Sequence, residues 1–157
     1  MTIAKNYGIH EQELGTNFLM SNQISKMPSE TSQQWRVRGL RGATTVNQNT
    51  ASAIAEAVNE LLTTIEDRNP FNPDEIVSVT FSLTPSLDAI FPAAIARRRP
   101  GWEYVPLLDV QQSPVIGSLN NCIRVLIHLN TLLPQKALNH IYLRQAAQLR
   151  PDLAIAN

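Results

Sequence analysis

The chain has 157 residues, 43% of them hydrophobic, and its 13 basic and 13 acidic side chains sum to a formal charge of zero. That length is enough for one domain with a proper core. Neutrality excludes a global field that would draw in nucleic acid or an anionic membrane, so an anionic ligand has to be held by a local group of arginines. The single cysteine, Cys122, excludes a disulfide within the chain, and no apolar run approaches the roughly 20 residues that span a bilayer. A reducing, cytoplasmic setting with no membrane partner is expected.

Residues 1–34 are rich in Ser, Gln, Asn and Thr and carry Glu11, Glu13 and Glu30. They lack the basic and apolar regions of a leader, and read as a flexible extension ahead of a domain over 35–157. The stretch WRVRGLRGATTV (35–46) predicts a short strand running into a turn. Its Gly39 and Gly42 would permit a bend or close approach of the backbone to a ligand. From Asn49 or Thr50, either an acceptable N-cap, the spacing of Ile54, Val58, Leu61 and Ile65 predicts a helix up to Asn69-Pro70.

In VSVTFSLT (77–84), Val77, Val79, Phe81 and Leu83 alternate with Ser78, Thr80, Ser82 and Thr84. One face of this strand is core, and the other meets solvent, a subunit or a ligand. A second helix is expected over Ser86–Arg99, ended by Pro100-Gly101. Strands follow at 103–110, at CIRVLIHL (122–129) and at HIYLRQAAQL (140–149), with a short helical connection near Pro134. This order gives an α+β fold, a mixed β-sheet with two main helices, whose outer sheet face needs covering.

The chemistry concentrates on arginines. Arg124 lies inside an apolar strand, on the face of Cys122, Leu126 and His128, and burying a guanidinium requires acceptors around it. Either Asp109 or Asp88 supplies them as a structural pair, or a bound anion does. Arg41, between two glycines, is displayed rather than packed. Arg97, Arg98 and Arg99 can complement a helix C-terminus as well as a ligand. Tyr142 alternates onto the face of His140 and Arg144, and can equally be a wall residue with an exposed hydroxyl. No phosphate loop, HExxH, CxxC or GxSxG is present, and no Ser or Cys has a neighbouring His that would mark a nucleophile. Several arginines with few acids near them suit binding a small polycarboxylate and stabilising negative charge.

The segments RGLRGATTV (38–46), TPSLDAIFPAAIAR (84–97), GWEYVPLLDVQ (101–111), CIRVLIHL and IYLRQAAQLRPDL (141–153) occur in one order at consistent spacing. Together they resemble the small trimeric chorismate mutases, whose homotrimer forms a pseudo-α/β barrel, and not the all-helical enzymes of the same activity. The resemblance implies an isomerase that converts chorismate to prephenate by a Claisen rearrangement, on the route to phenylalanine and tyrosine. It implies no metal, cofactor or covalent intermediate, with active sites at subunit interfaces. Carried over by position, Arg124 would contact the ether oxygen and a carboxylate, and Arg41 would hold the enolpyruvyl end. Tyr142 would donate to a carboxylate there. Phe91, Arg97 and Leu149 would close the pocket from a neighbouring subunit, Leu108 would contact the substrate, and Arg150 would lie at the mouth.

This chain departs from the family pattern in three places. Gln112 stands where the family has a glutamate near the substrate hydroxyl, Asp109 where it usually has a cysteine, and Ala94 where a lysine is common. One expectation is that Asp109 supplies the carboxylate that Gln112 lacks. The alternative is that Asp109 faces elsewhere and activity is attenuated, in the limit giving a trimer that binds a dicarboxylate without turning it over.

Overall fold

The computed structural model describes residues 34–153, so the extension expected over 1–34 falls almost wholly outside the described residues. Five strands form one mixed sheet: β1 (Arg36–Thr45), β2 (Ile76–Leu83), β3 (Leu107–Gln111), β4 (Cys122–Thr131) and β5 (Ile141–Tyr142), in the order β3-β2-β4-β1-β5. β4 is central and antiparallel to both β1 and β2, whereas β3 and β5 pair in parallel with β2 and β1 at the two edges. The α+β class read from the sequence is the class observed.

Helix α1 (Ala51–Arg68) covers one face of the sheet. Thr50 is its N-cap, accepting from the Ala53 N–H at 3.2 Å. Its stripe of Ile54, Ala57, Val58, Leu61, Leu62 and Ile65 is fully buried against Leu40, Val79, Phe81, Val125 and Ile127. Each of the larger side chains contributes roughly 1.5–3 kcal/mol on burial. At the other end Asn69, almost fully buried, donates through Nδ2 to the carbonyls of Ile65 (2.9 Å) and Asn139 (3.0 Å) and accepts from the Asn139 N–H (2.8 Å). The helix end is thereby tied to the segment that leads into β5.

Four expectations need correcting. The first strand does not turn at its glycines: β1 pairs with β4 without interruption from Arg36–Thr131 to Thr45–Cys122. Gly42 is there for packing, since a Cβ on it would lie 2.9 Å from Ile65 Cδ1, 3.0 Å from Val125 Cγ1 and 3.1 Å from Leu61 Cδ1.

The second helix, α2, is confined to Pro92–Ala96. Proline at its first position disfavours helix before it, and the upstream N–H groups of Asp88 and Ala89 are both taken by Asn49 Oδ1 at 3.2 Å. The strand expected over 103–110 starts only at Leu107, because Trp102–Val105 close a turn and Pro106 has no N–H to give a ladder.

The last strand stops at Tyr142. Arg144 takes a left-handed backbone (φ 52°) and reaches back to α1, donating from Nε to Glu60 (2.9 Å) and from Nη2 to Glu56 (3.1 Å). A 3-10 segment, Arg144–Leu149, follows. Tyr142 and Arg144 are therefore not on one face.

Because β5 is short, the β1 edge is completed by side chains. The Gln135 side-chain amide pairs with both backbone groups of Gly39, and His140 Nδ1 accepts from the Arg41 N–H at 3.1 Å. Burial, and then the charges of Arg41 and Arg150, hold the His140 pKa below its usual 6.5. Below that value the unfolded chain takes up a proton that the fold resists, so this group's contribution to stability is complete at higher pH and lost on acidification. The melting temperature should fall as pH drops below about 6.5. His140→Asn, whose amide oxygen can accept the same N–H without titrating, should flatten that slope. In urea unfolding, Gly42→Ala should cost about 1–3 kcal/mol through overpacking. Gly39→Ala, which meets only Leu126 Cδ1 at 3.7 Å, should be mild by comparison.

Candidate active site

The sheet face opposite α1 is where the arginines gather. Strand register puts Val110, Ser82, Arg124, Ala43 and Tyr142 in one row across all five strands, with Leu108, Thr80, Leu126 and Arg41 in the adjacent row. The period-2 alternation of β2 and β4 that buries Phe81 and Val125 necessarily turns Ser82 and Arg124 to this side. Behind the row, Tyr142, Ala43 and Ala146 form a small buried cluster, against which Leu119, Leu149 and Leu153 pack. The result is a cleft of about 580 Å³ bordered by Arg41, Thr80, Ser82, Arg124, Tyr142, Leu149 and Arg150. That volume is in the range of small-molecule sites.

Arg124 is half-buried, and its Nε is buried with no hydrogen-bond partner. Neither of the expected structural partners reaches it. Asp88 accepts from Asn49 Nδ2 at 2.7 Å, and Asp109 accepts from the Ala93 N–H at 3.1 and 3.3 Å through its two oxygens. Among the described residues no carboxylate forms an ion pair with Arg124 or Arg41. A charge taken partly out of water without a counter-ion is costly, and the cost is offset when an anion arrives. Nearby Cys122 is fully buried, and that burial pushes its thiol pKa up, against the opposing influence of Arg124. It is a packing residue. At the mouth, Arg150 holds Asp152 in a two-point contact, Nε–Oδ1 2.9 Å and Nη2–Oδ2 2.7 Å. The same contact lowers the Asp152 pKa. Among the described residues no three His, Cys, Asp or Glu side chains come together as a metal site.

Five of the sequence-singled residues, Arg41, Arg124, Tyr142, Leu149 and Arg150, border this cleft within one chain, so Leu149, expected from a neighbouring subunit, lies beside Arg124 of its own chain. The others lie elsewhere on the chain. Leu108, on the outer strand β3, is exposed on the same sheet face, whereas Asp109 pairs in register with Phe81 and so points to the α1 side. Within one chain, then, Asp109 is on the opposite face of the sheet from Arg124. It borders a second cleft, of about 250 Å³, together with Phe91. Phe91 is 71% exposed, and Arg97 is exposed at the end of α2. Gln112 follows β3, its N–H donating to the Leu83 carbonyl at 2.7 Å, and its Oε1 is buried without a partner.

Three supporting side chains were not assigned such a role from the sequence: His140 under the Arg41 backbone, Arg144 on α1, and Asn69 holding the segment before β5. Each makes a contact 70 residues or more away along the chain, which periodicity does not reveal.

Comparison with known proteins agrees with this geometry. A family model, chorismate mutase type I, matches residues 37–153, from β1 to the last described residue. Chorismate mutase AroH of Thermus thermophilus is 46% identical over 121 residues, 76% of this chain and 98% of its own. Chorismate mutase AroH of Bacillus subtilis (strain 168) is 41% identical over 119 residues, 76% of this chain and 94% of its own. The solved structure of a chorismate mutase from Clostridium thermocellum matches with a TM-score of 0.67 at 41% identity, over 70% of this chain and 97% of that one. With its sheet order, its arginine-bordered cleft and a match running from β1 to the C-terminal 3-10 segment, the chain belongs to the type I chorismate mutase family.

Proposed function

We propose that the chain catalyses the rearrangement of chorismate to prephenate at the cleft on the open sheet face. The observation that carries this is Arg124: a half-buried guanidinium, unpaired within the described residues, with Arg41 in the adjacent row and Tyr142 in its own. Chorismate is a dicarboxylate, and two free arginines plus a tyrosine hydroxyl match its charge and acceptors.

The reaction is concerted. The ether C–O bond breaks as a C–C bond forms between the enolpyruvyl terminus and the ring, with no proton transferred and no nucleophile required. In the transition state negative charge builds on the ether oxygen. Arg124, locked by the β4 ladder between β1 and β2, is a donor that need not reorganise when that charge appears. Arg41 and Tyr142 fix the flexible enolpyruvyl carboxylate, holding the two reacting carbons in a near-attack arrangement. Leu149 and Arg150 border the far side. Gln112, whose Oε1 lacks an internal partner, remains an acceptor for a substrate hydroxyl but brings no charge to the ring.

The active unit in this reading is a homotrimer in which Phe91, Arg97 and Leu108 of one subunit complete the cleft of the next. Support comes from their distribution: Phe91 and Leu108 are exposed apolar residues, and Val37, Val110 and Leu126 add exposed apolar area to the open face. Such an area on a lone chain marks an interface. One cysteine in the whole sequence is compatible with a reducing cytoplasm, where we place the enzyme.

The test is direct. Purified protein should consume chorismate, followed by loss of its absorbance, well above the spontaneous rate. Tight binding of a bicyclic transition-state mimic with no turnover would leave only a binding trimer. Arg124→Ala should lower kcat by roughly 10²–10³, the scale of one lost oxyanion-type donor. Arg124→Met should be equally inactive yet no less stable than the parent in urea, because it removes a buried donor that lacks a partner in the free protein. A mild kinetic effect, or a large stability loss in the methionine variant, would show that Arg124 is structural.

A further inference from the structure

Asp109 departs from the family pattern and occupies a position with no route to Arg124 in its own chain, so its carboxylate requires another account. Helix α2 starts with Phe91 at the N-cap and Pro92 at the first helical position. Phenylalanine has no acceptor to cap with and proline has no N–H. The first donor of the helix is therefore the N–H of Ala93, a residue that is almost fully buried, and nothing local satisfies it. Asp109 does so from β3, its two oxygens 3.1 and 3.3 Å from that nitrogen.

We propose that Asp109 is a positioning residue: by capping α2 from across the β3 edge, it sets Phe91 and Arg97 at the angle at which they close a neighbouring subunit's cleft. This rests on the trimeric reading above. Arg97 also faces the capping carboxylate, where its charge acts against the effect of burial. Burial comes first, and the Asp109 carboxyl pKa lies above its usual value despite Ala93 and Arg97. What the Ala93 N–H requires is an acceptor oxygen within reach, which an amide supplies as well as a carboxylate.

Two variants separate the roles. Asp109→Asn keeps an acceptor and removes the charge, so KM and kcat should stay close to the parent's. Asp109→Ala removes the cap and should raise KM by roughly 2- to 30-fold, a cap's worth of ordering at tenfold per 1.4 kcal/mol, with a smaller change in kcat. Amide exchange at Ala93 should quicken in Asp109→Ala and not in Asp109→Asn. A hundredfold fall in kcat for Asp109→Asn, or a loss far above that of Gln112→Ala, overturns the proposal and makes Asp109 an acid of the pocket. Kinetics and Ala93 exchange unchanged in Asp109→Ala overturn it as well. If the alanine variant does not assemble, Asp109→Asn decides alone. Phe91→Ala and Arg97→Ala probe the underlying reading: if neither moves KM, α2 closes no cleft, a failure distinct from one in which both move it and Asp109→Ala does not.

Discussion

A guanidinium cannot give up its charge, and the sheet holds one half out of water on its central strand. Everything else about the open face follows from accommodating Arg124 there. β4 is hydrogen-bonded on both sides, so the backbone under Arg124 is fixed by the Thr44–Ile123 and Phe81–Val125 pairings. The neighbours in its row are small or hydroxylated, Ser82 and Ala43, and leave the cleft above them open. An internal carboxylate would have stabilised the free protein and filled the place of a ligand. Among the described residues the acids are engaged elsewhere: Glu56 and Glu60 on Arg144, Glu66 on Arg99 and Trp102, Asp109 on α2. Stability is spent on readiness for an anion.

The same division organises the rest of the molecule. The α1 side of the sheet is closed, apolar and tied down by helix-end contacts at Asn69 and by the Arg144 and Glu66 links. The open side mixes polar and apolar residues within each row, with both edges finished by something other than a long strand. At one edge, Gln135 and His140 stand in for ladder partners of β1. At the other, β3 is five residues long and is followed by a proline-containing loop, with α2 beside it. Residues that resemble one family site are thus split between a cleft around β1, β4 and β5 and a patch around α2 and β3. A single chain cannot bring the two together, because the sheet lies between Asp109 and Arg124. In the proposed trimer the second patch comes from a neighbouring copy.

Much of this was legible beforehand. Alternation in β2 assigned the core side to Phe81 and the other side to Ser82, and in β4 it grouped Arg124 with Leu126 and His128, since a strand's faces are fixed by parity alone. The α1 stripe from Ile54 to Ile65 and its Thr50 cap were equally plain, being set by contacts three or four residues apart. The elements that were misjudged share a cause. Asn49 drew off the N–H groups ahead of α2, Pro92 reset its start, and Arg144 abandoned strand geometry for glutamates on α1. These partners are distant in sequence, and the apolar pattern around each was compatible with a longer element.

By itself the sequence determined the class of fold, the buried stripe of α1, the two alternating faces of β2 and the family, because parity, helical period and short ordered motifs are local properties. Only the tertiary structure decided that, among the described residues, no carboxylate pairs with Arg124, and that within one chain the Asp109 carboxylate meets α2 and not the arginine cleft. Both depend on strand register and on which distant donor lies within 3 Å or so of an oxygen, as the Ala93 N–H does for Asp109. Such distances emerge only when the whole chain has packed.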